Sequence, residues 1–108
     1  MAKFVHEGRS IDYVPTADVN AGDVVVLGEI VGVATRSIPA NRLGALQVEG
    51  VFDFPKGSEA IGIGVVCYWN ATGNVATTAA GEGGVNKKIG VSVAAAATED
   101  STVRIKMK

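Results

Sequence analysis

The stretch Leu46-Gln47-Val48-Glu49-Gly50-Val51-Phe52-Asp53-Phe54-Pro55 limits the fold more than any other part of this chain. Leu46 and Val48, then Phe52 and Phe54, alternate with Gln47, Glu49 and Asp53, and Gly50 stands where the alternation changes phase. A half-buried strand carries apolar side chains at every second position, and a glycine inside one marks a bulge that exchanges its faces. The stretch reads as a central strand, bent at Gly50 so that it serves two walls of a small barrel or sandwich. Pro55 ends it, because proline has no N–H for the ladder. With a one-residue bulge at Gly50, Glu49 and Asp53 fall on opposite faces and do not form a catalytic pair.

The remainder of the chain has the same character. Fourteen glycines and many valines stand against three Phe, two Tyr and one Trp, a composition for short strands and tight turns. The expected fold is all-β: a small single-domain barrel or sandwich of short, mostly antiparallel strands. At 108 residues the chain makes one domain, residues 1–108, with residues 1–9 as a flexible N-terminal arm.

In chain order, Ile11 to Val14 is a short edge strand stopped by Pro15, and Thr16 to Gly22 is a loop. Val24–Leu27 and Ile30–Ala34 form a hairpin through Gly28-Glu29, whose leading glycine suits a type II′ turn. Thr35 to Ala45 is a loop before the bent strand. Ile61, Ile63 and Val65 alternate with glycines ahead of Val66-Cys67-Tyr68-Trp69, a strand with one bare face. Val75–Thr78 and Lys88–Val93 are further strands, Ala79–Asn86 is a glycine-rich loop and Ala94–Ala97 is irregular. Val103, Ile105 and Met107 alternate with Arg104, Lys106 and Lys108 in a last strand whose cationic face reads as a solvated edge. A short internal echo sets Gly22-Asp23-Val24-Val25 to Val33-Ala34-Thr35 against Gly64-Val65-Val66 to Val75-Ala76-Thr77 at constant spacing, pointing to a two-part architecture.

Ten Lys and Arg against eleven Asp and Glu leave a formal charge of −1, without the basic balance of a nucleic-acid or anionic-membrane binder. No apolar run reaches the length of a membrane span, and residues 1–10 have no signal-peptide core. Cys67 is the only cysteine, so no intrachain disulfide and no metal-site spacing is available; it reads as a small core residue. His6, beside Glu7 and near Asp12, sketches at most a fragment of a metal or acid-base site. Gly62-Ile63-Gly64 lacks the third glycine and following helix of a dinucleotide fingerprint. Gly81-Glu82-Gly83-Gly84 before Lys87-Lys88 lacks the spacing and hydroxyl of a phosphate loop. Tyr68-Trp69 reads as a core anchor. No catalytic, cofactor-binding or metal-ligating residue is assigned.

Several segments together carry a resemblance. Val48-Glu49-Gly50-Val51-Phe52-Asp53-Phe54-Pro55-Lys56 is followed by Gly64-Val65-Val66-Cys67-Tyr68-Trp69, then Lys88-Ile89-Gly90-Val91-Ser92-Val93 and Thr102-Val103-Arg104-Ile105. With Phe4-Val5-His6-Glu7-Gly8 and Ala21-Gly22-Asp23-Val24-Val25, their order and spacing resemble the small tailed-phage and prophage capsid cement, or head decoration, proteins. The resemblance implies a non-enzymatic structural protein of the virion, made in the bacterial host cytoplasm. It would bind the major capsid protein on the outside of the head and stabilise the shell against internal DNA pressure. It also implies a homo-oligomer, with a trimer favoured, and no cofactor, nucleic acid or membrane partner. On this reading Ala2 to Tyr13 orders on the capsid or on a neighbouring subunit by adding a strand to an exposed edge. Members of this family often carry the name of a predicted recombinase related to RecA and RadA. A nucleotide-dependent DNA-binding protein and a generic β-barrel binding module therefore remain as alternatives.

Overall fold

The computed structural model describes Ala2 and residues 8–107, so most of the expected arm over residues 1–9 lies outside the described residues. Among the described residues, nine strands form two antiparallel sheets. The first contains β1 (Ser10–Tyr13), β2 (Val24–Leu27), β3 (Ile30–Val33) and β4 (Gly44–Gln47) in the order β1-β4-β3-β2. The second contains β5 (Gly50–Pro55), β6 (Val66–Asn70), β7 (Val75–Thr77), β8 (Lys87–Ser92) and β9 (Thr102–Met107) in the order β5-β9-β8-β6-β7. A 3₁₀ turn, Glu82–Gly84, separates β7 from β8. The sheets pack as a sandwich rather than a closed barrel, although one isolated parallel bridge, Lys56 to Ala76, brings the end of β5 up to β7.

The break at Gly50 is where the chain changes sheets. Val48 and Glu49 leave the strand, Gly50 takes a φ of +123°, and Leu46 ends in the first sheet while Phe52 begins in the second. The expected bend is therefore present, but the expected central strand is not. β5 is an edge strand of its sheet, and the interior positions belong to β9, β8 and β6. Inward alternation has the same period on an edge strand as on a central one, so it does not report lateral position. Two further expectations change. Gly64 has a φ of +77° in a turn, so Ile61 to Val65 is not a strand; Ile61 makes only an isolated bridge to Ala96, and Ile63 is exposed. The cationic side chains of β9 lie on an interior strand, and its alternation faces them outward from the sheet rather than along an edge. Ser10–Tyr13, assigned above to a segment that orders on a partner, already pairs with β4 as an edge strand. The β2–β3 hairpin closes as expected, with Leu27 opposite Ile30 and a positive φ of 59° at Gly28.

The two sheets are copies of one motif. Strand order β1-β4-β3-β2 is repeated as β5-β9-β8-β6. The registers correspond pair by pair: Val24 with Val33 and Val25 with Gly32 become Val66 with Val91 and Cys67 with Gly90. Ile11 with Leu46 becomes Phe52 with Ile105, and Val33 with Gln47 becomes Val91 with Lys106. The connections repeat as well. Val19 and Ile38 exchange two backbone hydrogen bonds, as do Ile61 and Ala96. Gly22 N–H donates to Ala34 O, and Gly64 N–H to Ser92 O; Ala34 N–H donates to Asp23 O, and Ser92 N–H to Val65 O. Sequence traces remain in Ile11-Asp12-Tyr13 beside Phe52-Asp53-Phe54, and in Gly22 and Gly64, which both have a positive φ. The echo read from sequence is thus right for Gly22 to Val25 and wrong for its second half. The counterparts of Val33-Ala34-Thr35 are Val91-Ser92-Val93, whereas β7 and the 3₁₀ turn are an insertion in the second copy.

Each copy has a loop face, onto which its own long connections fold, and a bare face. In the first copy Val19, Ala34, Ile38 and Leu46 bury on the loop face, with Ile11, Tyr13, Val25 and Leu27 half-buried around them. In the second copy the loop face forms the main core, where Phe54, Ile61, Cys67, Trp69, Val103 and Ile105 lie within a few per cent of full burial. Each large apolar side chain removed from water there contributes about 1.5–3 kcal/mol. The bare face of the first copy, Val31 and Val33 with Val24 and Val26, packs on that same core. The sandwich is therefore built head to tail, bare face of one copy on loop face of the next.

Candidate functional site

Among the described residues, those that carry chemistry are held apart. Cys67 is fully buried on β6, its Sγ 3.4 Å from Val65 O, and burial pushes its thiol up against a smaller opposing effect of a backbone hydrogen bond from Ser92. A buried, hard-to-ionise thiol is a core residue rather than a nucleophile. Asp12 is exposed on β1, while His6 and Glu7 lie outside the described residues. Among the described residues no group of three or more His, Cys, Asp or Glu side chains is placed to hold a metal. Gly62 to Gly64 runs into β6 through a turn. Gly81 to Gly84 is a short 3₁₀ turn closed by the Asn86 amide on Ala79 O at 2.9 Å, and β8 follows it. Neither places a helix N-terminus where a phosphate would sit. Lys87, after that loop, instead bridges to Glu29 of the first sheet at 2.9 Å.

What the structure does assemble is a surface. Register places Val51, Lys106, Val91 and Val66 in one row across β5, β9, β8 and β6, on the bare face of the second copy. All four are exposed, the valines at 54, 36 and 38% in that order. Beside this row Arg104 donates from Nε to Asp53 Oδ1 at 2.9 Å and from Nη2 to Oδ2 at 3.3 Å. The hydrogen bond from Arg104 holds the Asp53 carboxyl below its ordinary value, and the guanidinium is correspondingly raised. Exposed Val93 follows, its N–H donating to Arg104 O. Sequence reasoning found the cations of this face but missed its valines, because each sits in a strand where outward and inward apolar residues look alike.

Lys56 was also missed. It is buried, and its Nζ donates to the carbonyls of Gly57 at 3.0 Å, Glu59 at 2.6 Å and Thr98 at 3.4 Å. Three carbonyls match the three donors of an ammonium, so this lysine ties the turn after β5 to the loop before β9. Nothing in the sequence distinguishes it from a surface lysine following a proline. A cleft of about 330 Å³ opens between the sheets, lined by Ile11, Val31, Val48 and Ile89 and bordered by Glu49 and Lys88.

A family model described as phage cement protein matches residues 5–107, which includes both copies of the motif. The chain belongs to the phage cement protein family. No curated protein and no solved structure matches it. Cement-family membership associates the chain with the phage capsid as a structural protein and accords with the resemblance drawn from sequence. The exposed row Val51, Lys106, Val91 and Val66, with the Asp53–Arg104 pair beside it, is the surface feature that the second sheet presents.

Proposed function

We propose that this cement-family protein binds the major capsid protein on the outer surface of an assembled phage head and stabilises the shell against internal DNA pressure. The observation that carries this reading is the family match over residues 5–107. The protein acts as a homo-oligomer, a trimer by preference, so that many modest contacts to adjacent capsomers combine through avidity. Its work requires no catalytic residue, cofactor or nucleic acid, and its place is the virion surface after synthesis in the host cytoplasm. One capsid contact is strand addition: β1 is an edge strand, and the chain before Gly8 leads directly into it.

The test uses expanded heads lacking cement protein. Added protein should co-sediment with them in saturable stoichiometry and raise their rupture temperature. Failure to bind such heads, or ATP-dependent and steeply salt-dependent DNA binding instead, would overturn the proposal.

A further inference from the structure

The internal duplication leaves the chain with two unmatched halves of a contact it already makes once. Within the chain the bare face of the first copy packs on the loop face of the second, burying Val31 and Val33 to 5 and 7% exposure. Among the described residues nothing covers the equivalent bare face of the second copy: Val66 and Val91, counterparts of Val24 and Val33, are 38 and 36% exposed. The loop face of the first copy shows the complementary deficit. Tyr13, Val25 and Leu27 are half-buried there, whereas their counterparts Phe54, Cys67 and Trp69 are 1, 0 and 4% exposed in a core that Val31 and Val33 of the first sheet share with Ala76 of β7.

We infer that the second copy's bare face docks on the first copy's loop face of another molecule of the same chain, repeating between subunits the packing found inside each one. The occupant is a second copy of this chain, because the receiving surface is the counterpart of the one that already accepts a bare face intramolecularly. The polar member of the row does not contradict this. Lys106 stands where the covered face of the first copy has half-buried Gln47, and a lysine stem covers apolar surface while its ammonium reaches the rim. Such a contact joins two different patches, so it is heterologous and makes a closed ring when its rotation closes. This inference rests on the homo-oligomer reading above and assigns the faces that make it.

The experiment measures mass in solution by light scattering and sedimentation for wild type, V91D, V66D and L27D, with far-UV circular dichroism confirming that each is folded. Wild type should be oligomeric, and V91D and V66D should be monomers, since every contact of a ring needs one bare face. An equimolar mixture of V91D and L27D should form a dimer and stop there, each molecule retaining one intact face. V91D and V66D lie at exposed positions, so they keep the test open if L27D does not fold. An oligomeric wild type with V91D and V66D of unchanged mass would overturn the face assignment alone. A monomeric wild type at head-binding concentrations would overturn the oligomer as well. A monomeric wild type whose head binding is lost in V91D would assign the valine row to the capsid, against this inference.

Discussion

Gly32 and Gly90 occupy the same place in the two copies of the motif, each on the third strand where the fourth crosses over it. A Cβ on Gly32 would meet the Leu46 Cβ at 2.9 Å, and one on Gly90 would land on the backbone carbonyl of Lys106. Leu46 and Lys106 sit one register step apart, since Gln47 is the counterpart of Lys106. The crossing is therefore closed to any side chain in both copies, but for unequal reasons: a side chain obstructs one and a peptide group the other.

The inequality sets the first prediction. In G32A the Leu46 Cβ must shift slightly and carries the β4 backbone with it, and the overpacking cost should be about 1–3 kcal/mol. In G90A the backbone of β9 must move, and the loss should be at least about 3 kcal/mol, enough to impair folding of a small domain. Urea denaturation of the two variants checks the order; equal stabilities would show that the strands separate freely at the crossing.

Lys56 supplies the second. Replacing it by Met keeps the stem's volume and removes the donor to three carbonyls, which the burial of the site keeps from being resolvated cheaply. The expected loss is about 1.5–3 kcal/mol in chemical denaturation, the range for hydrogen bonds to a charged group. Because the contacts join the turn after β5 to Thr98, amide exchange should quicken in both loops together. A K56M protein as stable as wild type would mean that the ammonium is solvated instead.

The third concerns acid. Asp53 has its carboxyl lowered by the Arg104 hydrogen bond, so the folded form holds its proton less tightly than the unfolded chain does. The stabilisation from this pair is then fully present above the ordinary value of 3.8 and is lost as pH falls through the lower folded value. The stability difference between wild type and D53N should be constant at neutral pH and shrink below 3.8. Both groups are well exposed, so the difference should be small and fall further in high salt. A difference that grows on acidification would contradict the assigned direction.

Much of the strand content was legible because it depends on local alternation. The β2–β3 hairpin, β7, β8 and β9 were all placed from period-two patterns and turn residues, and Cys67 and Trp69 were recognised as core. The segments misread were those where local pattern and tertiary position part company. Ile61-Gly62-Ile63-Gly64-Val65 alternates like a strand, yet a turn at Gly64 and the Ser92 hydroxyl decide its path: Ser92 Oγ donates to Gly62 O at 2.5 Å and accepts from Val65 N–H at 3.0 Å. Val19 and Ile38, placed in loops by their polar neighbours, are buried members of the first copy's core.

Residues 46–55 show the division most clearly. Their sequence by itself determined two extended runs with inward apolar side chains and a glycine-permitted break between them, because alternation and positive φ are properties of a few adjacent residues. Only the tertiary structure decided that β5 lies at an edge, how the strands of each sheet are ordered, and that β7 is an insertion in the second copy of the motif. Those outcomes depend on hydrogen bonds and packing between residues far apart in the chain, such as Phe52 with Ile105 and Ile11 with Leu46. A period-two pattern specifies which side of a strand is buried, but not which strand lies next to it.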